Sequence, residues 1–498
     1  MSSLRVSSQK HLMSQTASTL VQKVWNYAHV MRDDGLSFLD YTEQITYLLF
    51  LKIAWEQSAS TQKESGDPQY CWGQLVGASD SSMLASLYRN ALAKLSGQEG
   101  LLGLIFTKPQ SKISDSAKLK RLIELIDAQE WSSLDFDVKG EIYEGLLAKN
   151  AEDVRGGAGQ YFTPRPVIRA ILQVMRPGPT ITIADPACGT GGFLLAAHEY
   201  LVQANPGMDS KTRSFVDESA IHGIDIVPSV ARLCAMNLYL HGIGGGEQLL
   251  VQIGDSLATA PQKVDMVLTN PPFGKKSSFT VISDDGKRDT EKLYYERKDF
   301  WATTSNKQLN FVQNVFAMLE EDGRAAVVVP DNVLFEGGAG EKIRRALLSQ
   351  CNVHTLLRLP TGIWYSTGVK ANVLFFDKKP ASKKPQTKDL WIYDLRTNKN
   401  HTLRQNPIAD DDMRDFVECY GACKPNSKRK ESDRFKRFSY AELMARDKAN
   451  LDIFWLKNDS ITDTAGLPKP AVLAAEIMED LAEALAEFSS VEAELRRG

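Results

Sequence analysis

From residue 180 onward, short runs rich in valine, isoleucine and leucine alternate with stretches of helical periodicity. The runs are TITIADPA, IHGIDI, LLVQIGDSL, KVDMVLTNPP, GRAAVVVPD, VHTLLRLP and ANVLFFDK. Helical spacing separates them near residues 193–202, 228–240, 310–319 and 341–348. Strands that alternate with helices of this length predict a parallel, doubly wound α/β sheet. Ligands bind such a sheet outside the carboxyl ends of its strands, so the strand ends are the candidate site.

Helical texture dominates before this region and returns after it. The residues before about 145 show helical spacing without lasting strand alternation. KKPASKKPQTK at residues 378–388 marks a composition break before one more strand, LWIYDL. From residue 470, apolar side chains at helical spacing predict a long amphipathic helix, packed either on its own domain or on a partner helix. We therefore predict an N-terminal helical domain at 1–145, an α/β domain at 146–400 and a C-terminal region at 401–498.

Composition limits the class of protein and its location. The chain has 498 residues, of which 43% are hydrophobic, enough for roughly two or three domains with a large core. It has no uninterrupted apolar run of roughly 18 residues, and its N-terminus lacks the apolar centre of a secretory signal. We therefore expect a cytoplasmic protein. The six cysteines lack CxxC spacing, which predicts free thiols, and no second pair follows Cys419 and Cys423 to complete a metal site.

Charge limits how the protein can contact nucleic acid. The net charge of -3 argues against a protein that wraps nucleic acid over most of its surface. Any DNA contact must then be local or shared with a partner. The most basic segment, residues 424–437, suits either a solvated loop or a phosphate contact.

The first strand-to-helix turn carries a glycine-rich motif, DPACGTGGF at residues 185–193. Its glycines let the backbone turn tightly and approach a ligand, and the following helix offers free N–H groups. No lysine closes the loop, which excludes a phosphate loop and favours a nucleoside cofactor, with a dinucleotide loop as the rival interpretation. The predicted cofactor residues of this turn are Asp185, Gly189, Thr190, Gly191 and Gly192.

Acidic residues also end the next two strands. Asp225 ends HGIDI, where a carboxylate can accept both ribose hydroxyls or, alternatively, cap the next helix. Asp255, which precedes Ser256 in GDSL, ends the third strand, where a carboxylate can accept from an adenine amino group. Together with Asp185, these strand ends predict an adenosine-containing ligand that lies across the sheet.

The fourth strand ends in NPPF at residues 270–273. Asn270 offers a side-chain carbonyl, and Pro271, which lacks an N–H group, leaves its own carbonyl free to accept. Two such acceptors can hold both hydrogens of an exocyclic amine and direct its lone pair at an incoming methyl group, while Pro271 and Pro272 keep the turn rigid. Phe273 offers a face on which a planar base can stack. A purely structural turn is the alternative.

With these motifs, the chain resembles the gamma-ordered amino-methylating DNA methyltransferases, and specifically the modification subunit of type I restriction-modification enzymes. DPACGTGGF, HGIDIVPSVARLCAMNLYLHG, GDSL and NPPF follow in the order of that family, and the N-terminal helices resemble its amino-terminal domain. LPTGIWYSTGVKANVLFF is similar to its later strands, and KGEIYEGLLAKNAEDVRGGAGQYFTPR to its first cofactor motif. The resemblance implies that six residues surround the methionine part of the cofactor: Gln160, Tyr161, Phe162, Thr163, Pro164 and Arg165.

The resemblance also implies a fold, a reaction and partners. The fold is a Rossmann-like doubly wound sheet that binds S-adenosylmethionine, with an N-terminal helical domain and a C-terminal helical tail. The reaction is methyl transfer to the 6-amino group of a DNA adenine that has left the duplex, and the activated sulfonium removes any need for a metal. A separate specificity subunit reads the DNA sequence, with two modification subunits for each specificity subunit, and a restriction/translocase subunit joins for restriction. The helix from residue 470 is then expected to dock on a partner.

Some positions fit the family less closely. Asp225 stands where many members have glutamate, which affects only the geometry, and Trp364 stands where phenylalanine is usual. The polar insertion at residues 277–299 is either a loop that orders on DNA or an ordinary surface insertion. Lys275 and Lys276 suit phosphate contacts or a solvated pair.

Three other functions share parts of this pattern. A methyltransferase that acts on protein glutamine or on RNA could use a similar Asn-Pro-Pro turn, although the long helical flanks argue against it. A catalytically silent scaffold could bind the cofactor only to stabilise an assembly, but it would not need an intact NPPF turn. A nicotinamide-dependent dehydrogenase would be stabilised by NAD rather than by S-adenosylmethionine.

Overall fold

The computed structural model describes most of the chain between residues 38 and 456. The described residues are 38–60, 72–96, 99–131, 163–273, 278–282, 288–292, 294–364, 369–399, 401–403, 406–421 and 429–456. All elements below belong to one compact unit, and residues 397–399 and 454–456 belong to a second. Within these ranges, every helix is too short or too polar to cross a bilayer. The amphipathic helix predicted from residue 470 lies outside the described residues.

Among the described residues up to 131, five helices are present, as the helical spacing predicts. They are α1 (Phe38–Ser60), α2 (Trp72–Val76), α3 (Ser81–Leu95), α4 (Gly100–Ile105) and α5 (Ser116–Asp127). Asp80 and Asp115 cap α3 and α5, since their carboxylates accept from the N–H groups of Ser82 and Ala117. Asp127 joins the bundle by accepting hydrogen bonds from Lys52 at 2.7 Å and from the indole of Trp72 at 2.8 Å.

A nine-stranded sheet forms the centre of the unit, in the order β11-β10-β8-β9-β7-β4-β1-β2-β3. All its strands are parallel except β9 and β11, and the separate β5 and β6 form a two-stranded antiparallel hairpin. The strands are β1 (Ile183–Asp185), β2 (Ile221–Asp225), β3 (Val251–Ile253), β4 (Val264–Thr269), β5 (Ser278–Ile282), β6 (Arg288–Lys292), β7 (Leu319–Pro330), β8 (Cys351–Arg358), β9 (Ala371–Lys378), β10 (Asp389–Asp394) and β11 (Phe435–Ser439).

Nine further helices connect or cover these strands. They are α6 (Arg165–Met175), α7 (Gly192–Ala204), α8 (Ser210–Glu218), α9 (Pro228–Leu240), α10 (Lys307–Met318), α11 (Asp331–Phe335), α12 (Ala339–Gln350), α13 (Asp410–Tyr420) and α14 (Tyr440–Ala445) among the described residues. Each predicted strand and helix of the α/β region is present, so the predicted fold class is confirmed.

The sheet departs from purely parallel pairing at β9 and β11. β8 and β9 are consecutive described strands and neighbours in the sheet, and β9 runs antiparallel to both β7 and β8. Neighbouring strands joined directly run antiparallel, whereas a parallel pair needs a crossover connection, usually a helix.

The predicted division of the chain at residues 145 and 400 stays a prediction. Part of the region assigned to 401–498 nevertheless packs with the sheet, because β11 pairs with β10 and α13 packs against α6. Tyr393 on β10 supports this packing, since its hydroxyl donates to Asp415 of α13 at 2.5 Å.

The N-terminal helices pack on α9 of the α/β region. Arg232 on α9 donates to Glu43 on α1 at 2.7 Å, and the two side chains are 16% and 5% exposed. Glu43 also lies 3.3 Å from the ammonium group of Lys112. Phe50 and Tyr239 extend the contact, with ring centroids 5.1 Å apart. A buried ion pair and an aromatic contact therefore join the two parts of the unit.

Candidate active site

The carboxyl ends of β1, β2, β3 and β4 surround a cavity of about 620 Å³. Three of the predicted residues, Gln160, Tyr161 and Phe162, lie outside the described residues. Gly191, Pro271 and Phe273 adjoin the wall without lining it. The predicted residues that line the cavity are Thr163, Pro164, Arg165, Asp185, Gly189, Thr190, Gly192, Asp225, Asp255, Ser256, Asn270 and Pro272.

Two buried carboxylates hold the glycine-rich loop in place. Asp185 accepts hydrogen bonds from the Ala187 N–H at 3.0 Å and from the Thr269 hydroxyl of β4 at 2.6 Å. Asp225 accepts from the Gly189 N–H at 3.0 Å. The loop after β1 is therefore fastened to both neighbouring strands, β2 and β4.

Asp225 has the position of a helix cap and also that of a cavity-lining acceptor, the two roles that the sequence left open. Its second oxygen accepts from the N–H of Val227, the residue that precedes α9, at 2.9 Å. It therefore stabilises the turn into α9, and it also lines the cavity. Each carboxylate oxygen can accept more than one hydrogen bond, so both oxygens keep capacity for a ligand hydroxyl.

Burial changes the charge state of these carboxylates. Desolvation raises the pKa of Asp185 to about 7, although the hydrogen bonds from Thr269 and Ala187 act in the opposite direction. Desolvation also raises the pKa of Asp225. A cationic ligand would stabilise the ionised forms, so this part of the cavity favours positive charge.

Gly191 is the point at which the loop turns into α7. Its φ is +86°, and a Cβ atom at this position would lie 2.8 Å from the Cys234 sulfur. Both the left-handed backbone and the close approach of α9 therefore require glycine.

For the S-adenosylmethionine site that the resemblance implies, we expect Gly191→Ala to weaken binding at least ~10-fold and to lower the melting temperature. The left-handed conformation costs roughly 1–2 kcal/mol for an L-residue, and the contact with Cys234 adds to that cost. Isothermal titration calorimetry and thermal melting measure the two effects. Gly178→Ala is the matched control, because its Cβ would meet nothing within 4 Å. Equal binding by Gly191→Ala and the wild type would show that the loop can adjust.

Asp255 at the end of β3 is held by two donors. One carboxylate oxygen accepts from the Leu257 N–H at 3.0 Å, and the other accepts from the hydroxyl of Tyr295 at 2.8 Å. Tyr295 comes from the end of the insertion at residues 277–299 and lines the cavity. Part of that insertion is therefore a wall of the site.

Other wall residues were also missed at the sequence level. They come from elements distant along the chain, and no local signal places their side chains at the cavity, so only their packing identifies them. Besides Tyr295 they include Lys307, Phe311, Ile363 and Ile408.

Asn270 has one half of its amide engaged and the other half without a donor. Its Nδ2 donates to the Thr163 hydroxyl at 2.9 Å. Its Oδ1 is buried and receives no hydrogen bond from the part of the chain that the structure describes. A buried acceptor without a donor costs free energy, which a ligand N–H group would recover. Asn270 therefore lines the cavity and carries a buried acceptor without a donor among the described residues.

Phe273 packs against Trp364, the residue for which the sequence offered no functional interpretation. The rings meet edge to face, with centroids 5.9 Å apart and an interplanar angle of 70°. Trp364 is only 7% exposed, so a buried side chain supports one side of Phe273.

Two arginines of the basic segment at residues 424–437 bind the protein itself. Arg429 donates to the Thr355 hydroxyl at 2.9 Å, and Arg434 donates to the Asp394 carbonyl at 2.8 Å. These contacts indicate a structural role for both. Residues 422–428, Lys275 and Lys276 lie outside the described residues.

Comparison with known proteins identifies the family. The N-6 DNA methylase family matches residues 134–456, and the HsdM N-terminal domain matches residues 20–127. The chain is 36% identical to the StySJI methylase subunit of Salmonella typhimurium, a type I restriction enzyme subunit, over 96% of each protein. The chain belongs to the type I restriction enzyme methylase family. It is also 36% identical to the EcoKI methylase subunit of Escherichia coli, over 96% of this chain and 95% of that protein.

Solved structures agree with this family. The crystal structure of the EcoKI M protein aligns with a TM-score of 0.53 at 32% identity over 96% of both chains. A modification subunit of a putative type I restriction enzyme from Vibrio vulnificus has a TM-score of 0.66 at 24% identity, over 86% of this chain and 93% of that one. The second likeness shows the fold alone.

Family membership confirms several sequence predictions. This methylase is an adenine-specific DNA methyltransferase that uses S-adenosylmethionine. The interpretations as a nicotinamide-dependent dehydrogenase and as a protein or RNA methyltransferase are therefore wrong.

Proposed function

We propose that this methylase is the modification subunit of a type I restriction-modification enzyme and methylates adenine N6 at a specific DNA site. The observation that carries the proposal is the buried Asn270 Oδ1, an acceptor without a donor among the described residues, beside a cavity with three acidic strand ends. Specific adenine methylation needs such an acceptor for the amine and a cation-favouring site for the methyl donor.

The cofactor site is assigned to the loops after β1, β2 and β3. Asp185 and Asp225 provide buried carboxylates, and Asp255 provides an acceptor for an adenine amino group. Arg165, whose Nη1 donates to the Gly192 carbonyl at 2.9 Å, is assigned to the methionine side, and Thr163 and Pro164 adjoin it. S-adenosylmethionine supplies a methyl group already activated by its positive sulfonium.

Asn270 is assigned to orientation of the target amine. The Thr163 hydroxyl accepts from Asn270 Nδ2, and with this contact Oδ1 lies at the opposite end of the amide. The Oδ1 atom and the Pro271 carbonyl accept the two hydrogens of the amine, which favours a tetrahedral nitrogen with its lone pair aimed at the methyl group. Pro271 and Pro272 keep these acceptors in place, because proline restricts the backbone.

The target adenine has to leave the duplex to reach this turn. Phe273 is assigned to stacking on the extruded base, and the edge-to-face contact with Trp364 holds its ring. Stacking on one aromatic face contributes roughly 1–3 kcal/mol per base, part of which offsets the loss of stacking in DNA.

Sequence recognition and restriction are assigned to partners. The proposal includes a separate specificity subunit that binds two modification subunits, and a restriction/translocase subunit. The helix predicted from residue 470 is the proposed contact, and a cytoplasmic location is part of the same proposal. The net charge of -3 is consistent with DNA binding that is shared with another subunit.

We expect the affinity for S-adenosylmethionine to rise as the pH rises through about 7. Burial raises the pKa of folded Asp185 to about 7. The contribution of this raised pKa to the stability of the fold is therefore present at low pH and is lost as the pH rises through about 7. The carboxylate that then forms attracts the sulfonium. Below pH 7, S-adenosylmethionine binding should release about one proton from Asp185 to the solvent. The affinity for S-adenosylmethionine should then fall up to ~10-fold for each unit by which the pH is lowered.

Calorimetry at pH 6 and pH 8, in buffers with different ionisation enthalpies, measures affinity and proton release together. S-adenosylhomocysteine is the matched ligand, because it lacks the sulfonium charge and should show a weaker dependence. Asp185→Asn should remove the difference between the two ligands. If Asp185→Asn kept the full pH dependence of S-adenosylmethionine affinity, that dependence would belong to another titratable group.

The function is tested by co-expression with the neighbouring specificity subunit. The purified pair is expected to transfer labelled methyl groups to adenine N6 in DNA and not to RNA or protein. Methylation of RNA or protein alone would contradict the proposal, and labelled cofactor binding without any methyl transfer would support the silent scaffold.

A further inference from the structure

Residues 294–300, here called the strap, cross from the β5–β6 hairpin to α10. Side chains along the strap alternate between exposed and partly buried, with Tyr294, Glu296 and Lys298 exposed. Tyr295 and Arg297 are the partly buried residues between them. This alternation is typical of an extended segment with one side against the protein.

The strap is fastened to the loop after β3 at two points. The Tyr295 hydroxyl donates to Asp255 at 2.8 Å, and Arg297 Nη1 lies 3.4 Å from the Leu257 carbonyl. Arg297 also donates to the buried side chain of Asn314 on α10 at 2.7 Å. The position of Tyr295 is therefore set by contacts with the loop after β3 and with α10.

Asp255 differs from the other two acidic strand ends in its side-chain partner. The donors to Asp185 and Asp225 come from backbone N–H groups and from Thr269 of the neighbouring strand β4. Asp255 depends on a phenol from the strap, outside the sheet and its helices. A charge-assisted hydrogen bond of this kind fixes the rotation of a carboxylate that would otherwise turn about χ2.

We propose that Tyr295 is a positioning residue that sets cofactor specificity by orienting Asp255 toward the 6-amino group of the cofactor adenine. The inference rests on the proposed cofactor site. An ionised carboxylate only accepts hydrogen bonds, so it favours an amino group and disfavours a 6-oxo group, which cannot donate from that position. The Leu257 N–H and the Tyr295 hydroxyl each take one acceptor position, and the remaining positions of the carboxylate serve the amine.

The test compares two ligands that differ at this group, S-adenosylhomocysteine and S-inosylhomocysteine. Calorimetry on the full chain should show that Tyr295→Phe weakens S-adenosylhomocysteine binding by ~3- to 10-fold and changes S-inosylhomocysteine binding by less than ~2-fold. Tyr294→Phe, at a neighbouring tyrosine that is 49% exposed, should leave both affinities unchanged. In an Asp255→Asn background, Tyr295→Phe should have little further effect, because the two residues act as a unit.

Three results would overturn the inference. Tyr295→Phe could bind S-adenosylhomocysteine like the wild type, or it could lose affinity for both ligands equally, which would indicate a general effect on the fold. If the wild type bound neither ligand, the proposed cofactor site itself would be wrong, and the inference would fall with it. The first two results leave the proposed function intact.

Discussion

Asn270→Ala is expected to reduce methyl transfer to DNA by at least ~10²-fold while S-adenosylmethionine still binds. The buried Oδ1 is the acceptor assigned to the target amine, and loss of one preorganised hydrogen-bonding group of this kind typically costs 10²- to 10³-fold in rate. The three acidic strand ends remain, so the cofactor affinity should change by less than ~3-fold. Labelled methyl transfer with the specificity subunit present measures the first effect, and calorimetry measures the second.

Two further variants separate this role from a general effect on the fold. Thr163→Val removes the acceptor for Asn270 Nδ2, so the amide can rotate, and we expect an intermediate loss of ~10-fold. Asn352→Ala is the matched control, because this asparagine lies at the start of β8 and donates to Asp377 at 3.3 Å, away from the cavity. A rate for Asn270→Ala equal to that of the wild type would refute the catalytic assignment.

Arg232→Ala is expected to destabilise the protein by about 3 kcal/mol, because removal of one member of a buried ion pair leaves the other charge poorly compensated. Glu43 is 5% exposed, and among the described residues only Lys112, at 3.3 Å, remains as a cationic partner. The loss should separate the N-terminal helices from α9. A lower melting temperature and faster proteolysis between the two parts would measure it.

The exposed pair between Arg213 and Asp217 on α8 provides the matched control. Arg213 is 48% exposed, so Arg213→Ala should cost no more than about 1 kcal/mol, although the atoms lie only 2.6 Å apart. The double variant Glu43→Gln with Arg232→Met should recover much of the stability, since no unpaired charge is then buried. If Arg232→Ala melted like the wild type, the ion pair would not be the main contact between the two parts.

Secondary structure and the order of the site motifs were predictable from the sequence. The helix expected at residues 228–240 is α9 (Pro228–Leu240), and the strands expected before Asp185, Asp225, Asp255 and Asn270 are β1 to β4. These predictions depend on local periodicity and on residues that restrict the backbone, and both are properties of short segments.

Strand pairing beyond β7 was not predictable in the same way. A run such as ANVLFFDK indicates a buried strand but not its direction, and β9 lies between β7 and β8 in reverse orientation. Tyr295 was missed for a related reason, since its partner Asp255 lies on another element and no local pattern joins them.

The sequence by itself determined which chemical groups stand at the strand ends: three carboxylates, an asparagine and a phenylalanine. Only the tertiary structure decided the charge state and the orientation of these groups. Burial raises the pKa of Asp185 to about 7, Thr163 orients the amide of Asn270, and Tyr295 orients Asp255. Charge state and orientation depend on neighbours that are distant in the chain, whereas residue type and local periodicity do not.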